Sequence, residues 1–207
     1  RDRLRSRGLG DVYKRQNNMS NPYFRFKQFT VWHDRCAMKV GTDGVLIGAW
    51  CDVDACRRIL DVGCGTGLIS LMIAQRTSDR TMIEGVEIDA VAAEQAAENT
   101  DRSPWKNRLR IHTSDFLDFA TSATVRYDHI VSNPPYFEKS LLPEDAARLT
   151  ARHTGRLTYE SLLRGAVSLL LPGGRISLIF PAGLHDSVSA IARKYGLFVR
   201  RTMSVSY

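Results

Sequence analysis

Apolar, strand-like segments alternate with helical segments along most of this chain, beginning at Arg58. RILDVG at 58–63 is apolar and ends in a glycine, LISLMIAQR at 68–76 has the periodicity of a helix, and MIEGVEI at 82–88 is again strand-like. Parallel strands need crossover connections, so this alternation is typical of a parallel sheet covered by helices on both faces. We therefore predict an α/β protein with a doubly wound, mostly parallel sheet.

The same alternation continues to the end of the chain. Further strands are predicted at 108–114, 127–132 and 174–180, and further helices at 90–100, 159–170 and 185–196, the last one ended by Gly196. The final FVRRTMSVSY is strand-like but has no partner after it.

The residues before the first of these strands form fewer predicted elements. YFRFKQFTV at 23–31 partly alternates apolar and polar residues, which predicts a strand or hairpin. TDGVLIGAW at 42–50 predicts a short helix capped by Thr42 or Asp43. Its inward-facing residues would be Val45, Leu46 and Trp50.

The positive charge of the chain is concentrated at its start. The net charge of the 207 residues is +7, but the first 16 residues contain six Lys or Arg and two Asp. This stretch lacks helical or strand periodicity, precedes Met19 and resembles translated adaptor or vector sequence. We interpret residues 1–18 as a non-native or disordered leader; the alternative is a genuine basic arm for RNA. Overall basicity is therefore weak evidence for a nucleic-acid partner.

The cysteines and apolar runs narrow the class of protein. Cysteines stand at 36, 51, 56 and 64, without a Cys-x-x-Cys pair or an accompanying His cluster, which indicates reduced thiols and no metal site. Apolar runs such as SLLL at 168–171 are far shorter than the roughly 20 residues of a membrane span. There is no signal-peptide pattern either. We expect a cytoplasmic protein without membrane contact.

A glycine loop follows the first strand of the alternating region. In LDVGCGTG the glycines are Gly63, Gly65 and Gly67, whereas a dinucleotide fingerprint needs a glycine where this chain has Leu68. Such spacing lets the backbone turn sharply and approach a ligand, with helix amides facing a carboxylate. Asp61 is placed to accept from an ammonium group or from the loop backbone. The alternative is a purely structural turn.

Acidic residues follow the next two strands. Glu87 ends the second strand, where doubly wound folds place an acid that holds two ribose hydroxyls. After the third strand, in TSDF, Asp115 is placed to accept from an adenine amino group while Phe116 packs against the ring. For Asp115 an N-cap of the next short helix is an equal alternative. Together with the glycine loop, these acids indicate a nucleoside-containing ligand.

The fourth strand ends in an unusual sequence, SNPPYF at 132–137. Two consecutive prolines continue neither a strand ladder nor a helix, because neither has a backbone N–H. The irregular stretch at 133–157 that follows is long for a compact domain, and such loops are often functional. The motif is either a turn or an active-site segment that needs a stiff backbone.

In this order, these motifs resemble the S-adenosylmethionine site of class I methyltransferases, with a Rossmann-like sheet, over residues 57–181. Within that class, NPPY resembles the motif of enzymes that methylate amino groups of adenine, guanine or glutamine amides. The resemblance implies S-adenosylmethionine as cofactor, S-adenosylhomocysteine as product and no metal. It also implies that the Asn133 side-chain oxygen and the Pro134 carbonyl orient the amine while Tyr136 stacks on the base.

The sequence before the glycine loop is more specific. FKQFTVWHDRCAMKVGTDGVLIGAW at 26–50 resembles the bacterial tRNA1(Val) (adenine-N(6))-methyltransferase family, whose MKVGTDGVLLGAW differs from it only at Ile47. ARHTGRLTYESLL at 151–163 is similar as well. The resemblance implies methylation of adenine 37 in the anticodon loop of a valine tRNA. It also implies a C-terminal antiparallel hairpin of which only the first strand is present, so we expect a truncated end.

These motifs divide the chain and leave alternatives open. We predict one methyltransferase domain at 19–207, with a substrate-side segment at 19–56 and a catalytic core at 57–207 that is incomplete at its C-terminus. The alternatives are methylation of a release-factor glutamine or a ribosomal RNA guanine, or a catalytically silent RNA-binding homologue. No obligate protein partner is evident. A basic rim for RNA, or else a solvated loop, is formed by Lys27, Arg35, Lys39, Lys139, Arg148, Arg152, His153 and Arg156.

Overall fold

A computed structural model describes residues 21–135 and 157–205 of the chain. Its strands are β1 Tyr23–Arg25, β2 Thr30–Trp32, β3 Arg58–Val62, β4 Met82–Glu87, β5 Leu109–Thr113, β6 Tyr127–Ser132 and β7 Leu170–Leu178. Its helices are α1 Thr42–Trp50, α2 Leu68–Arg76, α3 Ala90–Asp101, α4 Phe116–Ser122, α5 Tyr159–Leu169 and α6 His185–Lys194, with 3₁₀ turns at Lys106–Arg108 and Ala182–Leu184. The predicted leader at 1–18 lies outside the described residues.

Five parallel strands form the central sheet in the order β5-β4-β3-β6-β7. The predicted doubly wound α/β fold is confirmed. Side chains of the central strand β3 point alternately to the two faces. Ile59 packs with residues of α1 and α2, whereas Leu60 packs with residues of α4 and α5, and both are fully buried. Burial of each such side chain contributes about 1.5–3 kcal/mol.

The carboxyl ends of the strands lie level with one another. Val62 at the end of β3 is in register with Val86 of β4 on one side and with Ser132 of β6 on the other. Glu87 of β4 is in register with Thr113 of β5. The loops that follow four different strands therefore leave the sheet side by side at one edge.

The N-terminal segment forms a β1–β2 hairpin and then helix α1. The N-cap of α1 is Gly41, which corrects the predicted cap at Thr42 or Asp43. Its buried residues are Gly44, Ile47 and Gly48 rather than the predicted Val45, Leu46 and Trp50, which are only partly buried. A Cβ at Gly44 or Gly48 would lie within 2.9 Å of a side chain of α2. The small residues therefore let the two helices pack closely.

The last part of the sheet differs from the prediction in two ways. Strand β7 begins at Leu170, four residues before the predicted start, and a register shift follows its pairing with Tyr127. Residues 197–205 form neither helix nor strand, so the predicted final strand is wrong for this part of the chain. Its apolar residues Phe198 and Met203 are exposed instead of packed beside a neighbouring strand. In the described ranges, no helix has the length and apolar character to cross a bilayer.

Candidate active site

The glycine loop joins β3 to α2 at the carboxyl edge of the sheet. Gly63, Gly65 and Gly67 have φ angles of +69°, +52° and +78°, which side chains rarely adopt. A Cβ at Gly63 or Gly65 would meet no atom within 4 Å, so open space lies beside both residues. At Gly67 the nearest atom would be the Ala96 Cβ on α3, at 3.4 Å. The loop thus packs on α3 at one end and leaves its other glycines open to a ligand.

Asp61 lies within β3, beneath this loop, and is fully buried. One carboxylate oxygen, Oδ2, accepts from the Ser70 N–H at 3.0 Å and from the Ser70 hydroxyl at 2.7 Å. The other, Oδ1, is buried without a hydrogen-bond partner among the described residues. Burial raises the pKa of Asp61 to about 7. An orphaned carboxylate oxygen below an open glycine loop fits a cationic group of a ligand.

Glu87, at the end of β4, is hydrogen-bonded to the glycine loop. Its Oε2 accepts from the Gly65 N–H at 2.9 Å, and its Oε1 accepts from the Asp89 N–H at 3.0 Å. The carboxylate therefore fixes the middle of the loop and the start of α3 at once. Its side chain is half-buried and lies beside the open glycines.

Asp115 and Phe116 begin helix α4 after β5. Asp115 caps the helix, since its Oδ1 accepts from the Leu117 N–H at 2.7 Å and from the Asp118 N–H at 3.4 Å. Both of these hydrogen bonds are made to the same carboxylate oxygen, Oδ1, and neither is made to Oδ2. Phe116 is buried, and a Cβ at Gly165 on α5 would lie 2.8 Å from its ring. The ring thus packs between α4 and α5, and its predicted contact with adenine stays a prediction.

The Asn133–Pro134 segment leaves β6 next to the glycine loop. The Ser132 hydroxyl donates to the Val62 carbonyl at 2.8 Å and so ties the ends of β6 and β3 together. Asn133 is half-buried and Pro134 is buried. A cleft of about 360 Å³ opens at Asn133, and its other lining residues belong to the stretch before and at the start of α1: Met38, Lys39, Gly41, Thr42, Asp43 and Gly44.

Some of the predicted site residues lie outside the described residues, and one described residue is already ion-paired. Tyr136 lies outside the described residues, as do Lys139, Arg148, Arg152, His153 and Arg156. In the predicted basic rim, the Arg35 guanidinium already pairs with Glu94 and Glu98 on α3. Within ranges 21–135 and 157–205, no group of three or more His, Cys, Asp or Glu is arranged to hold a metal ion.

Three residues near the site were missed by reasoning from the sequence. Ser70 binds Asp61, and two amides of α3, Gln95 and Asn99, contact the N-terminal segment and the glycine loop. The one available signal for the two amides is their four-residue spacing in an alanine-rich helix, which puts both on one face. Nothing in the local sequence indicated which distant segments they bind.

Comparison with known proteins gives consistent matches. Residues 45–196 match the model of the family described as "Methyltransferase small domain". A tRNA1(Val) (adenine(37)-N6)-methyltransferase of Bacteroides fragilis is 52% identical over 188 residues, which cover 90% of this chain and 78% of that protein. The Yersinia pestis (strain Pestoides F) protein of the same name is 48% identical over 192 residues, 93% of this chain and 77% of that one.

Solved structures share the fold at low sequence identity. P. horikoshii TYW2 in complex with MeSAdo aligns with a TM-score of 0.57 and 15% identity, covering 84% of this chain and 60% of that one. A putative RNA methyltransferase from Pyrococcus horikoshii aligns with a TM-score of 0.51 and 16% identity, covering 77% and 67%. These likenesses support the class I methyltransferase fold of the five-stranded sheet.

Proposed function

Because the chain belongs to the tRNA1(Val) (adenine(37)-N6)-methyltransferase family, we propose that it transfers a methyl group from S-adenosylmethionine to the 6-amino group of adenine 37 in a valine tRNA. The observation that carries the proposal is the register of Val62 with Ser132. Because Val62 and Ser132 are paired, the glycine loop and the Asn133–Pro134 segment begin at adjacent positions of the sheet edge. A methyl donor and a planar amine can therefore meet there.

The residues around the loop fit the proposed cofactor. When bound, S-adenosylmethionine supplies an electrophilic methyl group on a sulfonium sulfur. Asp61 Oδ1 would accept from its ammonium group, and Gly63 and Gly65 would leave room for it along the backbone. Glu87 would hold the two ribose hydroxyls, and the Asp115 carboxylate would accept from the adenine amino group. The product would be S-adenosylhomocysteine, and no metal is needed.

The Asn133–Pro134 segment would orient the accepting amine. The lone pair of an exocyclic amine is delocalised into its ring, so the amine is a poor nucleophile unless it is held in a suitable orientation. The Asn133 side-chain oxygen and the Pro134 carbonyl would accept its two N–H groups and direct the lone pair toward the methyl group. Because proline fixes φ, the Pro134–Pro135 backbone would lose little entropy on binding. Stacking of the base on Tyr136 completes the proposal.

The tRNA would approach over the cleft that Asn133 shares with residues 38–44. This stretch reads MKVGTDG and belongs to the part of the chain whose resemblance is most specific to the tRNA family. A single anticodon-loop nucleotide, splayed out of its stack, is the form of substrate that such a cleft can take. We infer a cytoplasmic location from this substrate, and the proposal requires no protein partner.

The direct test is methyl transfer to an unmodified valine tRNA transcript, followed by mass spectrometry of the nucleosides. We expect N6-methyladenosine, and no methylation of a matched transcript in which guanine replaces adenine 37. Methylated glutamine on a release factor, or methylated guanine in ribosomal RNA, without tRNA product would contradict the proposal. Calorimetric binding of S-adenosylhomocysteine without any product would instead favour a catalytically silent homologue.

A further inference from the structure

Two buried amide side chains lie on one face of helix α3. Gln95 and Asn99 are each only 1% exposed and stand four residues apart, in a helix otherwise rich in alanine. A buried amide costs free energy unless its hydrogen bonds are made. Both residues make theirs with segments distant in sequence, and the two sets of partners differ.

Asn99 joins the N-terminal segment to the glycine loop. Its Oδ1 accepts from the Trp32 N–H at 2.9 Å, and its Nδ2 donates to the Trp32 carbonyl at 2.8 Å. The same Nδ2 donates to the Thr66 carbonyl at 2.9 Å, within the glycine loop. One side chain therefore fixes the distance between β2 and the loop expected to hold the methyl donor.

Among the residues that the structure describes, the Gln95 side chain binds the N-terminal segment and not the glycine loop. Its Oε1 accepts from the Arg35 N–H at 3.2 Å, and its Nε2 donates to the Asp34 carboxylate at 2.7 Å. Arg35 also pairs with Glu94 and Glu98, but these acids are 67% and 40% exposed. Exposed ion pairs contribute little, so the buried amide is the stronger anchor of this stretch.

The anchored stretch leads directly into the wall of the cleft. Only Cys36 and Ala37 separate Arg35 from Met38, the first residue lining the cleft at Asn133. Because this connection is short and Cys36 is buried, a shift of Arg35 would also move the wall of the cleft.

We propose that Gln95 and Asn99 are positioning residues for methyl transfer, an inference that rests on the proposed function. Gln95 holds Asp34 and Arg35, which directly precede the substrate-side wall of the cleft, against α3. Asn99 holds that segment and the glycine loop in one fixed relation, so that the accepting amine and the methyl donor arrive in register. Neither residue touches a reacting atom.

The test compares Gln95→Met with Asn99→Leu, and uses Thr100→Val as a matched control. The Thr100 hydroxyl is also buried in α3, but among the described residues it donates only to the Ala97 carbonyl within the helix. Gln95→Met removes both of its hydrogen bonds, and we expect it to raise the KM for a valine tRNA transcript about tenfold, the scale of one to two lost hydrogen bonds. Its affinity for S-adenosylhomocysteine, measured by calorimetry, should stay within about threefold of wild type.

Asn99→Leu should weaken both ligands about tenfold, because it removes contacts with both segments. Asn99→Asp preserves the size of the side chain and the acceptor for the Trp32 N–H, but it replaces the donor by a carboxylate oxygen that faces the Trp32 and Thr66 carbonyls. It should also weaken S-adenosylhomocysteine. The control should match wild type in both measurements. The proposal would be overturned if Gln95→Met weakened S-adenosylhomocysteine as much as Asn99→Leu does. It would also be overturned if neither variant changed the binding of either ligand.

A charge-swapped pair separates positioning from general destabilisation. Gln95→Glu alone places a carboxylate against Asp34, and we expect the KM for tRNA to rise. Adding Asp34→Asn restores one donor and one acceptor in reversed order, and the KM should return to within about threefold of wild type. A double variant that is as weak as the single one would contradict the assigned contact.

Failure of the proposed function would appear differently. If the wild-type protein binds no tRNA, the function is refuted, whereas the calorimetric comparison and the hydrogen exchange of ligand-free protein still test the anchors. Exchange should quicken at the Trp32 amide in Asn99→Leu and at the Arg35 amide in Gln95→Met, with α3 still protected. Unchanged exchange at both amides would overturn the inference whatever the substrate.

Discussion

The Glu87 carboxylate accepts a hydrogen bond from the Gly65 N–H at 2.9 Å. The acid expected to bind a ribose is thus also the residue that holds the middle of the glycine loop. Gly65 has a φ of +52°, so its backbone is in the left-handed region and is neither right-handed helical nor extended. The loop conformation and the acid at the end of β4 therefore depend on each other.

Replacing Glu87 with glutamine should weaken S-adenosylhomocysteine by about tenfold or more, because neutral hydrogen bonds to hydroxyls and amides are weaker than charge-assisted ones. Calorimetry measures the change. Glu160→Gln is the matched control, since this exposed acid binds Lys194 and Tyr195 and lies outside the glycine loop. Equal affinity in Glu87→Gln and wild type would show that the carboxylate charge takes no part in binding.

Replacing Gly65 with alanine should lower both stability and cofactor affinity. A Cβ there meets no atom within 4 Å, so the cost of about 1 kcal/mol comes from the left-handed backbone alone. Denaturant unfolding measures the stability change. The control is Gly183→Ala, where space is also open but φ is not positive, and it should be nearly neutral. If the two variants are equally stable, the loop does not require this conformation.

Most of the sheet and its helices follow from local sequence. The segments at 68–76 and 127–132 have the predicted bounds because their apolar patterns are strong and their neighbours are turn-forming. Gly196 ends α6 as predicted, with a φ of +75° and a hydrogen bond from its N–H to the Arg193 carbonyl. Parallel strand ends at one edge then bring together the motifs that follow them.

Other features depend on contacts that the local sequence does not contain. The Asn99 amide binds Trp32, 67 residues away, and Gln95 binds Arg35, 60 residues away. The early start of β7 depends on pairing across Gly173, whose positive φ accommodates an irregular turn within the strand. For α1, the inward face is set by how closely glycines can approach α2, not by which residues are most apolar.

The affinity for S-adenosylhomocysteine should rise with pH between 5.5 and 7.5. Burial raises the pKa of Asp61 from 3.8 to about 7, so the carboxyl is largely protonated at the lower pH. An ammonium group prefers the ionised form, and binding then releases a proton, with up to a tenfold loss of affinity per pH unit below about 7. Calorimetry in buffers of different ionisation enthalpy counts the proton. Asp61→Asn should abolish the pH dependence; if it persists there, Asp61 is not its source.

The stability of the ligand-free protein should carry the opposite signature. Between pH 3.8 and about 7 the folded Asp61 binds more protons than the unfolded one, so its contribution to stability falls as pH rises. Burial lowers the pKa of His129 from 6.5 to about 4, and its contribution to stability rises with pH between about 4 and 6.5. The contribution of His129 is the same in wild type and in Asp61→Asn, so it cancels in the difference between their free energies of unfolding. When the free energy of unfolding is measured with denaturant, the value for wild type minus that for Asp61→Asn should be smaller at pH 7.5 than at pH 5.

Replacing Asn133 with alanine should separate binding from chemistry. Asn133 lines the cleft next to the start of the glycine loop but contributes none of the loop's hydrogen bonds among the described residues. We therefore expect the affinity for S-adenosylhomocysteine to stay within about twofold of wild type, while single-turnover methylation of a valine tRNA slows by at least about 100-fold, the scale of a lost oriented contact. Asn107→Ala, at an exposed asparagine of the first 3₁₀ turn, is the control and should be unaffected. Turnover like that of wild type in Asn133→Ala would rule out its role in orienting the amine, and a parallel loss of cofactor affinity would assign it to the donor side of the site instead.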